Sequence, residues 1–186
     1  LGHDAFVGVV SRLDAAVSGI VVFAKTQRSA ARLCDQFRDR TVEKLYQAIV
    51  TGRFPAAIGA WLEWTDSLER PPGPKPTMIV SPATKEAQEA TTRARVMVRA
   101  GEVSLVELAP LTGRRHQLRA QLGSRGCPIV GDRLYGSRLP FPIPGGIALH
   151  ATQIAFEHPH HGTPLTFKSP CPEPWMDRFP YLFLEN

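Results

Sequence analysis

The chain is most informative between residues 111 and 136, which read LTGRRHQLRAQLGSRGCPIVGDRLYG. Four cationic or titratable side chains fall within six residues of this stretch, namely Arg114, Arg115, His116 and Arg119. The residues from Gly113 to Leu122 predict a short helix that carries them. Like charges this close on one helix repel one another unless anions offset them, and the free N–H groups at a helix start also favour anions. The cluster therefore indicates a site that faces phosphates or carboxylates.

The positive charge of the chain is concentrated in the same region. Residues 111–138 contain six arginines and one acid, Asp132, so they carry a net charge of +5, as much as the whole chain. Such clustering is typical of a protein that binds a polyanion, although a solvated arginine-rich face would produce the same pattern.

A single carboxylate, Asp14, stands further upstream in the segment RLDAAVSG. The apolar runs Val7–Val10 and Gly19–Ala24 on either side predict two buried strands, which would hold the loop rigidly over a core. An aspartate beside glycine and serine is most often a turn former, so that interpretation stays open. Arg12 could pair with the carboxylate or lead a phosphate inward.

The remaining pattern predicts an α+β fold. A helix is predicted over Thr26–Arg40, capped by Thr26 or Ser29, and a strand over Lys44–Gly52. A hairpin is predicted from Arg93–Arg99 and Val103–Leu108. Two late strands, Ile147–Glu157 and Leu165–Lys168, are predicted to be joined by a turn at Pro159–Gly162. The region Phe54–Thr92 is rich in proline, so it is predicted to be irregular, with at most one or two short edge strands, one near Met78–Val80. Strands dominate without regular strand–helix alternation, which favours a mixed, largely antiparallel β-sheet core with a few flanking helices in a single domain, residues 1–186.

Tyr46 lies on the strand predicted at Lys44–Gly52, among small neighbours. It fits a core aromatic residue whose hydroxyl reaches the surface. It also fits a platform on which a base stacks, a use of aromatic rings that recurs in RNA recognition. Both interpretations stay open at this point.

The composition is that of an ordinary globular protein, with 43% hydrophobic and 21% charged residues. No run of eighteen apolar residues predicts a transmembrane helix and nothing near Leu1 is typical of a signal peptide, so no membrane partner is expected. Cys34, Cys127 and Cys171 are few and widely spaced, which favours a reducing, cytoplasmic setting. A monomer is the default expectation.

Three histidines, His158, His160 and His161, lie in the segment EHPHHG. Their spacing matches no metal-binding motif, and proline and glycine surround them, so a solvated turn is predicted and no metal site. The chain has no GxxxxGK[ST], GxGxxG or GxSxG motif, so nucleotide-fold and hydrolase interpretations lack support and no cofactor is expected.

Four segments together resemble the RluA-type pseudouridine synthases, RNA enzymes that convert uridine into its carbon-linked isomer. They are RLDAAVSGIVVFAKT, KLYQAIVTG, APLTGRRHQLRAQLGSRGCPIVGDRLYG and LHATQIAFEHPHHGTPLTFKSP, within a match that runs from about Val7 to Pro172. The order and spacing of the segments match as well as their residues. The resemblance implies the pseudouridine synthase catalytic fold.

The resemblance also implies roles for single residues. It makes Asp14 the catalytic aspartate, Tyr46 the active-site tyrosine and Arg119 the basic partner of the aspartate. The residues that it places near the RNA are Arg12, at a position associated with base flipping, together with Arg114, Arg115 and His116.

The chain departs from the family pattern in the loop that presents the aspartate. Ser11 stands where the family usually has histidine, and Val17 where it usually has threonine. Family members usually have further strands before this point, so an N-terminally short protein or a fragment is expected.

The function implied by the resemblance is isomerisation of specific uridines in structured RNA, ribosomal or transfer, by base flipping and an essential aspartate, without a cofactor. The main alternative is a catalytically silent RNA-binding module with the same fold. Ser11, Val17 and the short N-terminus favour that alternative, whereas the joint presence of Asp14, Tyr46 and Arg119 opposes it. A hydrolase of phosphorylated small molecules lacks a recognisable nucleophile–base pair.

Overall fold

The computed structural model of the chain describes residues 6–73 and 75–184. The predicted domain ends, at residues 1 and 186, lie outside the described residues, as does Pro74 of the predicted irregular region. The strands are β1 (Gly8–Val9), β2 (Ser18–Gly19), β3 (Phe23–Ala24), β4 (Glu43–Thr51), β5 (Trp61–Glu69), β6 (Met78–Val80), β7 (Gln88–Ala100), β8 (Val103–Pro110), β9 (Leu149–Glu157) and β10 (Pro164–Lys168). The helices are α1 (Gln27–Arg38), α2 (Gln117–Ser124) and α3 (Glu173–Arg178).

Eight of the described strands form one sheet in the order β10–β9–β4–β8–β7–β5–β6, with β2 added beside β9. Neighbours along this order are antiparallel, whereas β2 runs parallel to β9. With the flanking helices, this arrangement confirms the predicted α+β class with a mixed, largely antiparallel sheet.

The hydrophobic core is centred on β4 and β8. Consecutive residues of β4, from Ala48 to Val50, have no exposed surface, and the same holds for Val106 and Leu108 of β8. Burial of consecutive residues means that both faces of these strands are covered. Each fully buried aliphatic side chain contributes about 1.5–3 kcal/mol, so the central strands form the rigid frame on which the candidate site is built.

The prediction of two buried strands near the N-terminus is wrong. Val7–Val10 contributes only the two residues of β1, and Gly19–Ala24 is divided between β2 and β3. β1 pairs with β3 in a separate two-stranded ribbon, where Val9 is 57% and Phe23 53% exposed. The apolar runs therefore lie at the surface, because the ribbon stands apart from the main sheet.

The prediction of an irregular region at Phe54–Thr92 is wrong in part. It contains the nine-residue strand β5, and β7 begins at Gln88, five residues earlier than predicted. β5 alternates, with Trp64 and Leu68 buried while the intervening side chains are more exposed, as expected for a strand that covers a core on one face. β6, at the predicted Met78–Val80, is a short edge strand, as expected.

Several local predictions are confirmed. Thr26 caps α1 by accepting a hydrogen bond from the Ser29 N–H at 3.1 Å. β7 and β8 form the predicted hairpin, and β9 pairs with β10 across the turn at Pro159–Gly162. None of the helices within the described residues is both long and apolar enough to cross a membrane.

Candidate active site

The loop that carries Asp14 is fastened to β9. Val17 N–H donates to the Asp14 carbonyl at 2.9 Å, which closes a turn, and Ile147 N–H donates to the Ala16 carbonyl at 3.0 Å. Gly19 lies at φ +118°, and a Cβ there would collide with the backbone of Ala151. The glycine thus allows the close contact between β2 and β9 that holds the aspartate in place.

Ser11, one of the departures from the family pattern, has a structural contact in this loop. Its hydroxyl accepts a hydrogen bond from Val22 N–H at 2.8 Å, and its own N–H donates to the Val22 carbonyl at 3.3 Å. These two contacts close the base of the loop, so serine at this position keeps Asp14 anchored.

The basic segment is not the continuous helix that was predicted from Gly113. α2 begins at Gln117, and the preceding His116 lies in the left-handed region at φ 52°, which ends the turn before it. Arg114 and Arg115 therefore precede the helix. Like-charge repulsion along one helix is avoided, since only Arg119 of the three arginines lies on α2.

Gln117 holds the turn before α2 against β7. Its side-chain oxygen accepts hydrogen bonds from Thr112 Oγ1 at 2.7 Å and from Arg114 N–H at 3.0 Å. Its side-chain nitrogen donates to the Thr91 carbonyl at 3.0 Å and to Thr92 Oγ1 at 2.9 Å. This buried amide fixes the approach of the basic turn to the sheet.

Arg119 lies between two carboxylates. Its Nε and Nη2 donate to Asp132 at 2.7 and 2.9 Å, and its Nη1 donates to Asp14 Oδ2 at 3.2 Å. Asp132 is 1% and Arg119 7% exposed. Burial lowers the pKa of Arg119, but the hydrogen bonds and charges of Asp132 and Asp14 outweigh it and raise that pKa overall. The guanidinium therefore stays charged beside Asp14.

His116 approaches the same oxygen from another side. Its Nε2 lies 3.7 Å from Asp14 Oδ2, and its Nδ1 lies 2.9 Å from the Tyr135 hydroxyl. Burial lowers the pKa of His116, as does the nearby Arg119, although Asp14 acts in the opposite direction. Arg119 and His116 thus both approach Oδ2 of Asp14.

Tyr46 reaches the site from β4. The pairing of β4 with β9 shifts by a bulge between Leu45 and Tyr46, a device that often redirects side chains beside active sites. Burial, with a smaller contribution from the charge of Asp14, raises the pKa of Tyr46 to about 12. The phenol is therefore protonated at neutral pH, and its ring is half-buried at the edge of the cleft.

These elements surround a cleft with two adjoining cavities of about 130 and 550 Å³. The larger is within the range of about 300–1,000 Å³ that is usual for small-ligand sites. Both cavities are lined by Arg12, Leu13, Asp14, Lys44, Tyr46, Gly113 and Arg114. Arg119 and His116 line the smaller cavity and Arg115 the larger, so every predicted site residue contacts this cleft.

The predicted RNA-contacting arginines differ in how they are held. Arg12 is exposed, whereas Arg114 Nε donates to the Glu89 carbonyl at 3.0 Å. Nη1 of Arg115 is buried without a hydrogen-bond partner within residues 6–73 and 75–184. Such a donor is suited to an acceptor that arrives with a ligand.

Sequence reasoning missed several residues that the fold brings to the site. They are Lys44, Gln117, Asp132 and Tyr135. For Asp132 a signal existed, since it is the one acid in a segment with six arginines. A lone acid among so many cations indicates a buried pair, but its partner is identified only by the fold.

The histidine-rich turn has no relation to the cleft. The His158 ring stacks on that of His161 at 4.5 Å, and Gly162 N–H donates to the His158 carbonyl at 2.9 Å. Among the residues that the structure describes, no three His, Cys, Asp or Glu side chains are grouped to hold a metal ion.

The sequence of the chain matches, over residues 2–124, the family described as RNA pseudouridylate synthase. It is 35% identical over 176 residues to an uncharacterized RNA pseudouridine synthase of Chloroflexus aurantiacus, a match that covers 92% of this chain and 52% of that protein. It is 36% identical over 162 residues to the dual-specificity RNA pseudouridine synthase RluA of Escherichia coli K12, covering 87% and 72%.

The fold is shared with a solved structure, Human RNA Pseudouridylate Synthase Domain Containing 4. The TM-score is 0.77 at 24% identity, over 100% of this chain and 79% of the human one. The chain spans about half the length of several relatives that it matches. Because the family match covers most of the chain and the E. coli relative is matched over more than two thirds of its length, the chain belongs to the RNA pseudouridylate synthase family, and within it to the RluA type.

Proposed function

We propose that the chain isomerises specific uridines of structured RNA, ribosomal or transfer, to pseudouridine. The observation that carries the proposal is the contact between Asp14 and Arg119 in a cation-lined cleft of a protein of this family. A carboxylate that faces RNA is repelled by the phosphates. Arg119, oriented by Asp132, offsets that repulsion.

The reaction breaks the C1′–N1 bond of uridine and forms a C1′–C5 bond. The electron pair of the broken bond stays on uracil, which becomes an anion with its charge shared by N1 and both carbonyl oxygens. Asp14 either bonds to C1′ or removes a proton from C2′ to give a glycal, and both routes remain open. C5 then bonds to C1′, while the carboxylate leaves C1′ on the first route or returns its proton to C2′ on the second; the C5 proton is lost to solvent and N1 takes up a proton. Because the product is an isomer of the substrate, the chemistry requires no redox partner or group donor.

The remaining site residues suit the steps before the chemistry. The target base must leave its stack, which costs a few kcal/mol in a paired helix and less in a loop. Arg12, Arg114 and Arg115 would hold the RNA backbone, while the ring of Tyr46 stacks on the extruded uracil. His116, whose Nε2 lies 3.7 Å from Asp14 Oδ2, would help to orient the carboxylate. A closed cleft protects the cleaved sugar from hydrolysis.

The silent RNA-binding module is the rival function, and Ser11 and Val17 are the departures that favour it. Ser11 nevertheless closes the loop of Asp14 through its two contacts with Val22. A protein that only binds RNA gains nothing from a carboxylate beside the phosphates, which supports the enzymatic proposal.

The cellular setting is a further proposal. Cys34, Cys127 and Cys171 are free thiols, which supports a reducing, cytoplasmic location. Light scattering coupled to size-exclusion chromatography tests the accompanying proposal of a monomer.

The test of the function is release of tritium from RNA labelled at uridine C5, using cellular RNA that lacks its own modifications. Release by the wild-type chain that vanishes in Asp14→Asn, with RNA affinity kept within a few-fold, would support both reaction and residue. Near-normal release by Asp14→Asn would contradict the role of the aspartate. No release by either protein, with RNA still bound, would favour the silent module.

A further inference from the structure

Lys44 is a second, half-buried cation in the cleft, and the proposed chemistry so far leaves it without a role. It lines both cavities together with Asp14 and Tyr46. Its Nζ lies 4.0 Å from the point where a Cβ on Gly113 would stand, so the ammonium lies beside the turn that precedes α2. Lys44 and Tyr46 thus bring one cation and one aromatic ring from β4 into the same cleft.

Among the residues that the structure describes, no carboxylate pairs with Lys44. Within residues 6–73 and 75–184 it forms no ion pair, whereas Arg119 is paired with both Asp14 and Asp132. Burial lowers the pKa of Lys44, and no carboxylate contributes to that shift. A desolvated ammonium without a counter-charge lowers the stability of the folded state. Such an arrangement suits a site whose negative charge arrives with the substrate.

The substrate offers two kinds of negative charge at this place. Backbone phosphates are charged before, during and after the reaction, so a phosphate contact strengthens binding without a selective effect on rate. The uracil anion exists only once the C1′–N1 bond has broken. The neighbours of Lys44 favour the second, because Tyr46 is the proposed platform for the base and Asp14 is the proposed partner of the sugar.

We propose that Lys44 donates a hydrogen bond to a carbonyl oxygen of the departing uracil and stabilises the uracil anion. The inference rests on the proposed function. The electron pair of the C1′–N1 bond moves to the base, and the ammonium keeps its protons throughout. Asp14 acts on the sugar and Lys44 on the base. The positive charge on the sugar and the negative charge on uracil, which separate when the C1′–N1 bond breaks, therefore each have a partner in the protein.

The test compares Lys44→Met with the wild-type chain on two RNAs, one with uridine and one with 5-fluorouridine at the target. Fluorine withdraws electrons and stabilises the uracil anion by itself, so the fluorinated base depends less on Lys44. The measurement is the single-turnover rate at saturating RNA, followed by nuclease digestion and chromatography of the target nucleoside. Lys168→Met, an exposed lysine on β10, is the matched control.

Lys44→Met is expected to slow the reaction of uridine by about 10²-fold, as does the loss of one donor to a developing oxyanion. The loss is expected to be clearly smaller with 5-fluorouridine, and the salt dependence of RNA binding to stay unchanged. Equal losses on both RNAs would overturn the proposal. An unchanged rate with weaker binding and a salt slope reduced by about 0.7–0.9 would also overturn it and assign Lys44 to a phosphate.

Two controls keep the result interpretable. If the wild-type chain converts neither RNA, the proposed function fails, which is distinct from activity that Lys44→Met leaves intact. The Tm of Lys44→Met is expected to be equal to or above that of the wild-type chain, because the variant removes an unpaired, half-buried charge. A fall in Tm would show that Lys44 has a structural partner and would count against the proposal.

Discussion

Asp132 accepts two hydrogen bonds from Arg119, at 2.7 and 2.9 Å, and so determines the direction in which Arg119 Nη1 points. That nitrogen contacts Asp14 at the longer distance of 3.2 Å. The guanidinium group of Arg119 also lies over the ring of Tyr135, with its central carbon 5.1 Å from the ring centroid. The closest contacts of the arginine are therefore with a buried carboxylate, and its contact with Asp14 goes to Oδ2.

This relationship predicts that Asp132→Asn impairs both stability and chemistry. Breaking a buried ion pair costs about 3–5 kcal/mol, because the remaining charge is left without a partner. Arg119 would also lose the direction that brings Nη1 to Asp14. We expect urea unfolding to show the stability loss, and tritium release to show a slower single turnover with RNA affinity retained.

Asp66→Asn is the matched control for that variant. Asp66 pairs with Arg125 at 3.0 Å and accepts a hydrogen bond from Gln121, but it does not line the cleft. Its loss should lower stability and leave the single-turnover rate unchanged. An Asp132→Asn variant that behaves in the same way would show that Asp132 only stabilises the fold.

Tyr46→Phe is predicted to change the dependence of stability on pH. The pKa of Tyr46 is about 12 in the folded protein, chiefly because of burial, against about 10 in the unfolded chain. Above pH 10 the unfolded chain releases this proton first, so the free energy of unfolding falls as the pH rises from about 10 to about 12. Phenylalanine has no such proton, so the variant should lack this part of the fall.

Urea unfolding of both proteins at about pH 9 and about pH 11 measures the difference. Tyr135, whose pKa burial also raises, is common to both proteins and cancels in the comparison. Identical losses in the two proteins would contradict the buried position of the Tyr46 hydroxyl.

Arg115→Gln is predicted to weaken RNA binding through one phosphate. The buried Nη1 of Arg115 has no hydrogen-bond partner within the described residues, and a phosphate oxygen would supply one. Each phosphate contact contributes about 0.7–0.9 to the slope of log K against log[salt], so the slope should fall by that amount. Filter binding across a salt series measures it.

Arg178→Gln, a change on α3 beside the ring of Phe179, is the control for charge in general. It should leave the slope unchanged. A slope that is equal in Arg115→Gln and the wild-type chain would place Arg115 outside the RNA contact.

The predictions of secondary structure succeeded where local pattern and burial agree. The strand β4, the hairpin of β7 with β8 and the cap of α1 at Thr26 are local features, and all three are confirmed. β5 was missed because the prolines that follow it led to the prediction of irregular structure. The alternation of β5 is set by its contact with β7, which the sequence does not show. The apolar runs of β1 and β3 were expected to be buried because apolar side chains favour a core. Composition alone does not show whether a segment packs against a core in the fold.

For the candidate site, the sequence identified the residues but not their partnerships. Asp14, Tyr46 and Arg119 are far apart in the chain, and the fold brings them to one cleft. Asp132 and Lys44 were not singled out as site residues. Whether a charged residue is paired, as Asp132 is, or half-buried without an ion pair, as Lys44 is, depends on its neighbours in the fold. Their roles in catalysis stay predictions until the variants are measured.

By itself, the sequence of this protein determined its fold class, the family to which its motifs belong and the basic character of its central segment. These follow from spacing, alternation and composition, which are properties of the chain alone. Only the tertiary structure decided that α2 begins at Gln117, that Arg119 is held by Asp132, and that Lys44 is half-buried without an ion pair among the described residues. Hydrogen bonds between distant residues and the loss of solvent around a charge arise only when the strands pack, so no local pattern can encode them.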